Sequence, residues 1–95
     1  MESIATVATD RPERYLKQLC AHLGRKIKAD YTDTEGTLTF DAGLGQVTAT
    51  PGMLTLRASA DNPENLAVVE DVLGRHLEGF GQRDGLQVVW ERTTA

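Results

Sequence analysis

Ninety-five residues, 40% apolar and 25% charged, suit one small soluble domain spanning 1–95, with room for a modest core. A formal net charge of −4 and a pI near 5.0 argue against nucleic acid as the main partner and against an anionic membrane surface, because both are met by a basic patch. The only local basic cluster, Arg25-Lys26-x-Lys28, is diluted by Asp30 and Asp33. A single cysteine, Cys20, forms no internal disulfide. The first eight residues lack the basic and long apolar parts of a secretory leader, and no apolar run approaches membrane-spanning length. The expected location is the cytoplasm.

The chain opens with a weak alternation over Ser3–Ala8, in which Ile4 and Val7 are strand formers. This predicts a short first strand. Asp10-Arg11-Pro12-Glu13 then reads as a helix start, with Asp10 as N-cap, Glu13 reaching back in a capping box and Pro12 in the first turn. Tyr15, Leu16, Leu19, Cys20 and Leu23 follow at helical spacing. Gly24 closes the helix as its C′ residue, with Arg25 and Lys26 near the negative end of the helix dipole.

Four period-two segments come next. Ile27, Ala29 and Tyr31 alternate with Lys28 and Asp30. Leu38 and Phe40 alternate with Thr37 and Thr39, and Val47 and Ala49 with Thr48 and Thr50. Leu54, Leu56 and Ala58 alternate with Thr55, Arg57 and Ser59. Turn chemistry separates them at Asp33–Gly36, at Asp41–Gly45 and at Pro51-Gly52, where the pair suits positions i+1 and i+2 of a type II turn. Short links between alternating runs mean antiparallel hairpins.

A second start, Asp61-Asn62-Pro63-Glu64, repeats the Asp-x-Pro-Glu spacing 51 positions after the first. Asp61 is the expected cap. Leu66, Val69, Val72, Leu73, Leu77 and Phe80 form the apolar face, and Gly79 and Gly81 loosen the end. A last strand is expected over Leu86–Trp90, and Glu91–Ala95 reads as a polar tail. The order is β-α-β-β-β-β-α-β. It predicts an α+β fold with both helices on one face of an antiparallel sheet and the other face wet. That order is similar to TBP-like and helix-grip folds, an analogy of fold that carries no function. The repeated start, and the recurrence of Leu23-Gly24-Arg25 as Leu73-Gly74-Arg75, hint at an internal duplication. Shared helix start and stop chemistry explains the same matches.

Chemistry-bearing residues are few. His22 and His76 are the only histidines, each late in its helix and each followed by leucine. Helical spacing puts His76 within the apolar stripe and His22 at the edge of its own. One reading brings the two imidazoles together between the helices, with or without Cys20, to bind a metal or tune a proton transfer. The plainer reading is two half-buried histidines bonded to backbone carbonyls. No CxxC, HxxxH or carboxylate cluster supplies a dedicated metal site. Cys20 falls on the apolar face, where a thiol is inert. Lys17 and Gln18 project from the outer side of the first helix. Gly43-Leu44-Gly45 lies between antiparallel strands and is a hairpin turn, not a phosphate cradle. The wet sheet face would carry Thr37, Thr39, Thr48, Thr50, Thr55, Arg57, Ser59, Gln87 and Val89. Cross-strand threonines need no function to explain them, and the face lacks the aromatics that stack bases. No nucleophile–base–orienter set can be named, so no catalytic residue is assigned.

The run Arg11-x-x-Arg14-Tyr15-Leu16-Lys17-Gln18-Leu19-Cys20-x-His22-Leu23-x-x-Lys26-Ile27 resembles a family of small bacterial proteins of unknown function, DUF2218. The later Glu70-Asp71-Val72-x-x-x-His76-Leu77-Glu78-x-Phe80, with the closing Trp90, fits it too, so the resemblance covers nearly the whole chain. It implies that Arg14, Tyr15, Gln18, His22 and His76 are the recurring positions, and it carries no established activity. It also implies an accessory role near iron and siderophore utilisation. The expectation is therefore a non-enzymatic module that binds a small ligand or a protein partner, with no cofactor named. The alternative is an interaction protein acting as a homodimer or docking a partner through its sheet.

Overall fold

The computed structural model describes residues 1–93. Among them six strands form one antiparallel sheet, β1 (Glu2–Ala8), β2 (Lys28–Tyr31), β3 (Glu35–Thr39), β4 (Leu44–Thr50), β5 (Met53–Ser59) and β6 (Glu91–Thr93). Helix α1 spans Pro12–Leu23 and α2 spans Pro63–Phe80. The spatial order is β2-β3-β4-β5-β1-β6. The middle four strands are a meander of hairpins, as their alternation and short turns require. Gly52 takes φ +75° in the β4–β5 turn, the left-handed value that position i+2 of a type II turn demands.

Alternation decides which face each side chain meets. Ala5 and Val7, Leu38, Val47 and Ala49, and Leu54, Leu56 and Ala58 all point to the helices and are buried. Against them lie Leu16, Leu19 and Leu23 of α1 and Leu66, Val69, Leu73 and Leu77 of α2. The opposite face is open. Thr48 stands directly across from Thr55, and Gln46 lies between Thr37 and Arg57. The threonines named from the sequence occupy this face, but Gln87 and Val89 do not, because they are not in the sheet.

Helix α1 and the sheet come close together at Gly36 on β3. A Cβ there would lie 2.7 Å from the Cys20 sulfur and 3.8 Å from a Leu16 methyl. Glycine thus opens the slot that the thiol fills. Cys20 is fully buried, and desolvation pushes its pKa to about 11, so it is a core atom and not a nucleophile.

Four local details differ from the sequence reading. The N-cap of α1 is Arg11, with no side-chain cap. Thr9 bends back to accept from the Arg11 amide at 3.1 Å, so the Asp10–Glu13 capping box does not form. In α2 the cap is Asn62, whose side chain accepts from the Asn65 amide at 2.8 Å. Asp61 is one residue too early. Gly24 ends α1 in a right-handed conformation, φ −63°, its amide still donating to the Cys20 carbonyl at 2.8 Å. Helix α2 also runs through Gly79, with Gly81 at its C-cap.

The closing segment is a fifth difference. Leu86–Trp90 forms no ladder. Val88 and Trp90 instead lie over α2 at Gly74, where a Cβ would be 3.3 Å from the indole nitrogen. The Glu78 carboxylate accepts from the Val88 amide at 3.0 Å. The chain then enters the sheet as β6 beside β1, pairing Ser3 with Arg92. Arg92 grips Glu70 of α2 through two bonds, 3.2 and 2.9 Å. A pair of this fork geometry is among the stronger charge-assisted contacts. The Leu-Gly-Arg recurrence is thus not a structural equivalence: Gly24 ends a helix, and Gly74 is a mid-helix seat for Trp90.

Two outcomes follow from this packing. Gly36→Ala should destabilise the fold by about 1–3 kcal/mol through overpacking against sulfur. In a denaturant double-mutant cycle with Cys20→Ala the two costs should sum to clearly more than the cost of the pair. Arg92 holds the Glu70 carboxyl below the ordinary carboxylate range. A depressed folded pKa gives stability that is complete above the unfolded value and is lost as pH falls through the folded one. Stability should therefore decline below about pH 4.5, and Glu70→Gln should flatten that decline, read as Trp90 fluorescence against pH.

Candidate functional site

The two helices lie side by side on the sheet with opposite direction. Tyr15, near the start of α1, reaches Asp84 just beyond the end of α2. His22, near the end of α1, meets His76 and Phe80 of α2. This seam is where the residues expected from the sequence gather.

His22 and His76 come together as the first reading anticipated. Their ring centroids are 5.2 Å apart with planes inclined at 44°. Phe80 meets the His22 ring edge-on at 5.4 Å, an arrangement favoured by the ring quadrupoles. Phe80 is four residues after His76, so both stand on one side of α2. His22 is exposed and His76 half-buried. The Nδ1 of His76 lies 2.6 Å from the Val72 carbonyl. A carbonyl only accepts, so Nδ1 carries the proton and donates. In the neutral ring that leaves Nε2 as an acceptor or metal donor. The plainer reading therefore also holds for His76, whose one nitrogen is tied to backbone while the other is not.

Arg14, Gln18 and His22 follow one another at spacings of four, which lays them along one stripe of α1. All three are exposed. Tyr15 is different. It is 6% exposed, and its hydroxyl donates to the Asp84 carboxylate. That bond, with burial second, raises the phenol pKa. Tyr15 is thus a tether between α1 and the turn after α2, and its polar atom is engaged. Asp84 in turn lines a cleft of about 380 Å³ with Thr9, Asp10, Arg11, Gly52 and Leu86. Cys20 stays with the sheet at Gly36 and does not join the histidines. Lys17 leans the other way, to Asp33 in the β2–β3 turn at 2.8 Å.

Two members of the seam were not picked out from the sequence. Its place in the periodicity puts Phe80 on the apolar face, and its i+4 relation to His76 sets the two together. Asp84 sits in a short 3₁₀ turn after the helix, where no periodicity signals a partner.

The chemistry available is recognition. Two imidazoles supply two donors, and a protein-held transition metal normally takes three or four. Among the described residues no group of three or more His, Cys, Asp or Glu side chains comes together to hold a metal ion. No helix among them is long and apolar enough to cross a membrane.

No curated protein matches the chain. The NMR structure of PA4090 from Pseudomonas aeruginosa superposes with a TM-score of 0.83 over 99% of this chain and 98% of that one, at 23% identity. At that identity the likeness speaks for the fold alone. Residues 4–91 match the model of the uncharacterized proteins conserved in bacteria designated DUF2218. The two motifs around His22 and His76 fall within that span, and the chain belongs to this family.

Proposed function

We propose that the protein is a cytoplasmic, non-enzymatic binding module whose recognition surface is the α1–α2 seam. The observation that carries this is the meeting of His22 and His76 from two different helices, 5.2 Å apart. His22 is exposed, and among the described residues no hydrogen bond engages the Nε2 of His76. Arg14 and Gln18 extend the same stripe, adding a fixed positive charge and an amide that both donates and accepts. Such a set suits a small oxygen-rich anion. Two imidazoles also suit a metal that arrives already held by a small chelator, since they complete a coordination shell without having to supply it. Ferric catecholates are such anions, ferric chelates with open coordination positions accept imidazole, and the accessory role near siderophore utilisation implied by the family resemblance points the same way. The chain's own charge of −4 makes Arg14 the local feature that draws an anion in.

The test is thermal unfolding with ferric catecholate and ferric hydroxamate chelates, with iron salts alone as comparison. A ligand at one hundred times its Kd adds about 2.7 kcal/mol, which in a domain of this size raises Tm by several degrees. His22→Ala should abolish the rise while leaving the unliganded Tm nearly unchanged, because His22 is exposed. A flat response of the native protein across the panel overturns the reading.

A further inference from the structure

The outer edge of the sheet carries a second, independent piece of information. β2 is the terminal strand of the order β2-β3-β4-β5-β1-β6, so among the described residues one side of it pairs with nothing. Which of its backbone groups face outward can be worked out. The Thr32 amide donates to the Glu35 carbonyl at 2.7 Å, and this pair continues the β2–β3 register of Lys28 with Thr39 and Asp30 with Thr37. Antiparallel ladders alternate hydrogen-bonded and non-bonded pairs. Lys28 and Asp30 therefore spend their amides and carbonyls on β3. Ala29 and Tyr31 point theirs away from the sheet.

We infer that this edge joins a second copy of the chain, β2 against β2 about a two-fold axis through Ala29. Outward-facing residues must stand opposite one another, which leaves a few symmetric registers. Ala29 opposite Ala29 forms two backbone bonds and places each Lys28 across from Asp30 of the partner subunit at a non-bonded pair, where side chains are closest. The next register sets Asp30 against Asp30 of the partner subunit, two like charges directly opposed. The one after it sets Tyr31 against Tyr31 of the partner subunit and leaves Lys28 outside the pairing with β2. The charge pattern thus singles out the first register.

Three observations support a partner here. Lys28 and Asp30 are 74% and 73% exposed and only loosely paired within the strand, at 4.0 Å. Their charges are thus free to answer a complementary strand. Tyr31 is 44% exposed on the helix side of the strand, and the Ala29 register brings it over Ile27 of the partner subunit, covering apolar surface on both. Edge charges ordinarily keep strands apart, yet Lys-x-Asp read antiparallel against itself is complementary, so these select one partner and repel misregistered ones. A four-residue edge buries little area, and the association belongs to the weak, concentration-dependent class.

The test is sedimentation equilibrium of the full chain up to millimolar concentration. A monomer–dimer equilibrium is expected. Lys28→Glu replaces two attractions by two repulsions and should weaken it about tenfold or more. The exchanged pair, Lys28→Asp with Asp30→Lys, should restore it. Ala29→Pro removes an outward amide that β3 does not use, a position where an edge strand accepts proline, and should abolish the dimer while circular dichroism stays native. A strict monomer overturns the inference, as does a dimer indifferent to Lys28→Glu or not restored by the exchange. None of these outcomes depends on ligand binding at the α1–α2 seam.

Discussion

Everything on the helix side of the molecule depends on how closely α1 lies on the sheet, and that distance is set where Cys20 enters the space left by Gly36. Strands with alternating Val, Leu and Ala present a pleated apolar surface, but a surface alone does not fix where a helix sits along it. A missing Cβ at one position and a sulfur atom opposite it do so. With α1 located at that point, Tyr15 is within reach of Asp84 at one end of the helix and His22 is within reach of His76 at the other. The same contact accounts for the buried, unreactive state of the thiol. Packing precision in the core and the geometry of the exposed seam are one constraint seen from two sides.

Much of this was legible in the residues, because periodicity is a direct consequence of backbone geometry. The helical stripes from Tyr15 to Leu23 and from Leu66 to Leu77, the four alternating strands and the Pro51-Gly52 turn each follow from local chemistry. What local chemistry left open was competition between near-equal choices. Asp61 and Asn62 are both good caps, and only the backbone path decides that the asparagine oxygen faces the Asn65 amide. At α1, Thr9 reaches the Arg11 amide from outside the helix, and the capping box has no role.

The closing segment shows a different limit. Leu86, Val88 and Trp90 alternate as a strand should, yet alternation reports only that one side of an extended chain is apolar. It does not say whether that side meets a sheet or a helix. Here Val88 and Trp90 lie on α2, and the polar residues that follow make the ladder. The histidines occupy an intermediate case. Their positions near the helix ends made a meeting geometrically reasonable, whereas Phe80 and Asp84 came into view only with the packing of α2 and the turn behind it.

The place of β1 in the sheet bears on how the molecule is made. β1 is the first strand of the chain, and it sits between β5, about fifty residues later, and β6, which ends the described chain. The β2–β5 meander can assemble from neighbouring hairpins as soon as it is synthesised. β1 must hold its place until β5 exists, and its second edge stays bare until β6 has been made. Such distant pairings slow folding, and an exposed strand edge is open to wrong partners during synthesis. The alternation of Glu2 and Thr6 with small buried residues keeps β1 only moderately apolar, which limits its stickiness while it waits.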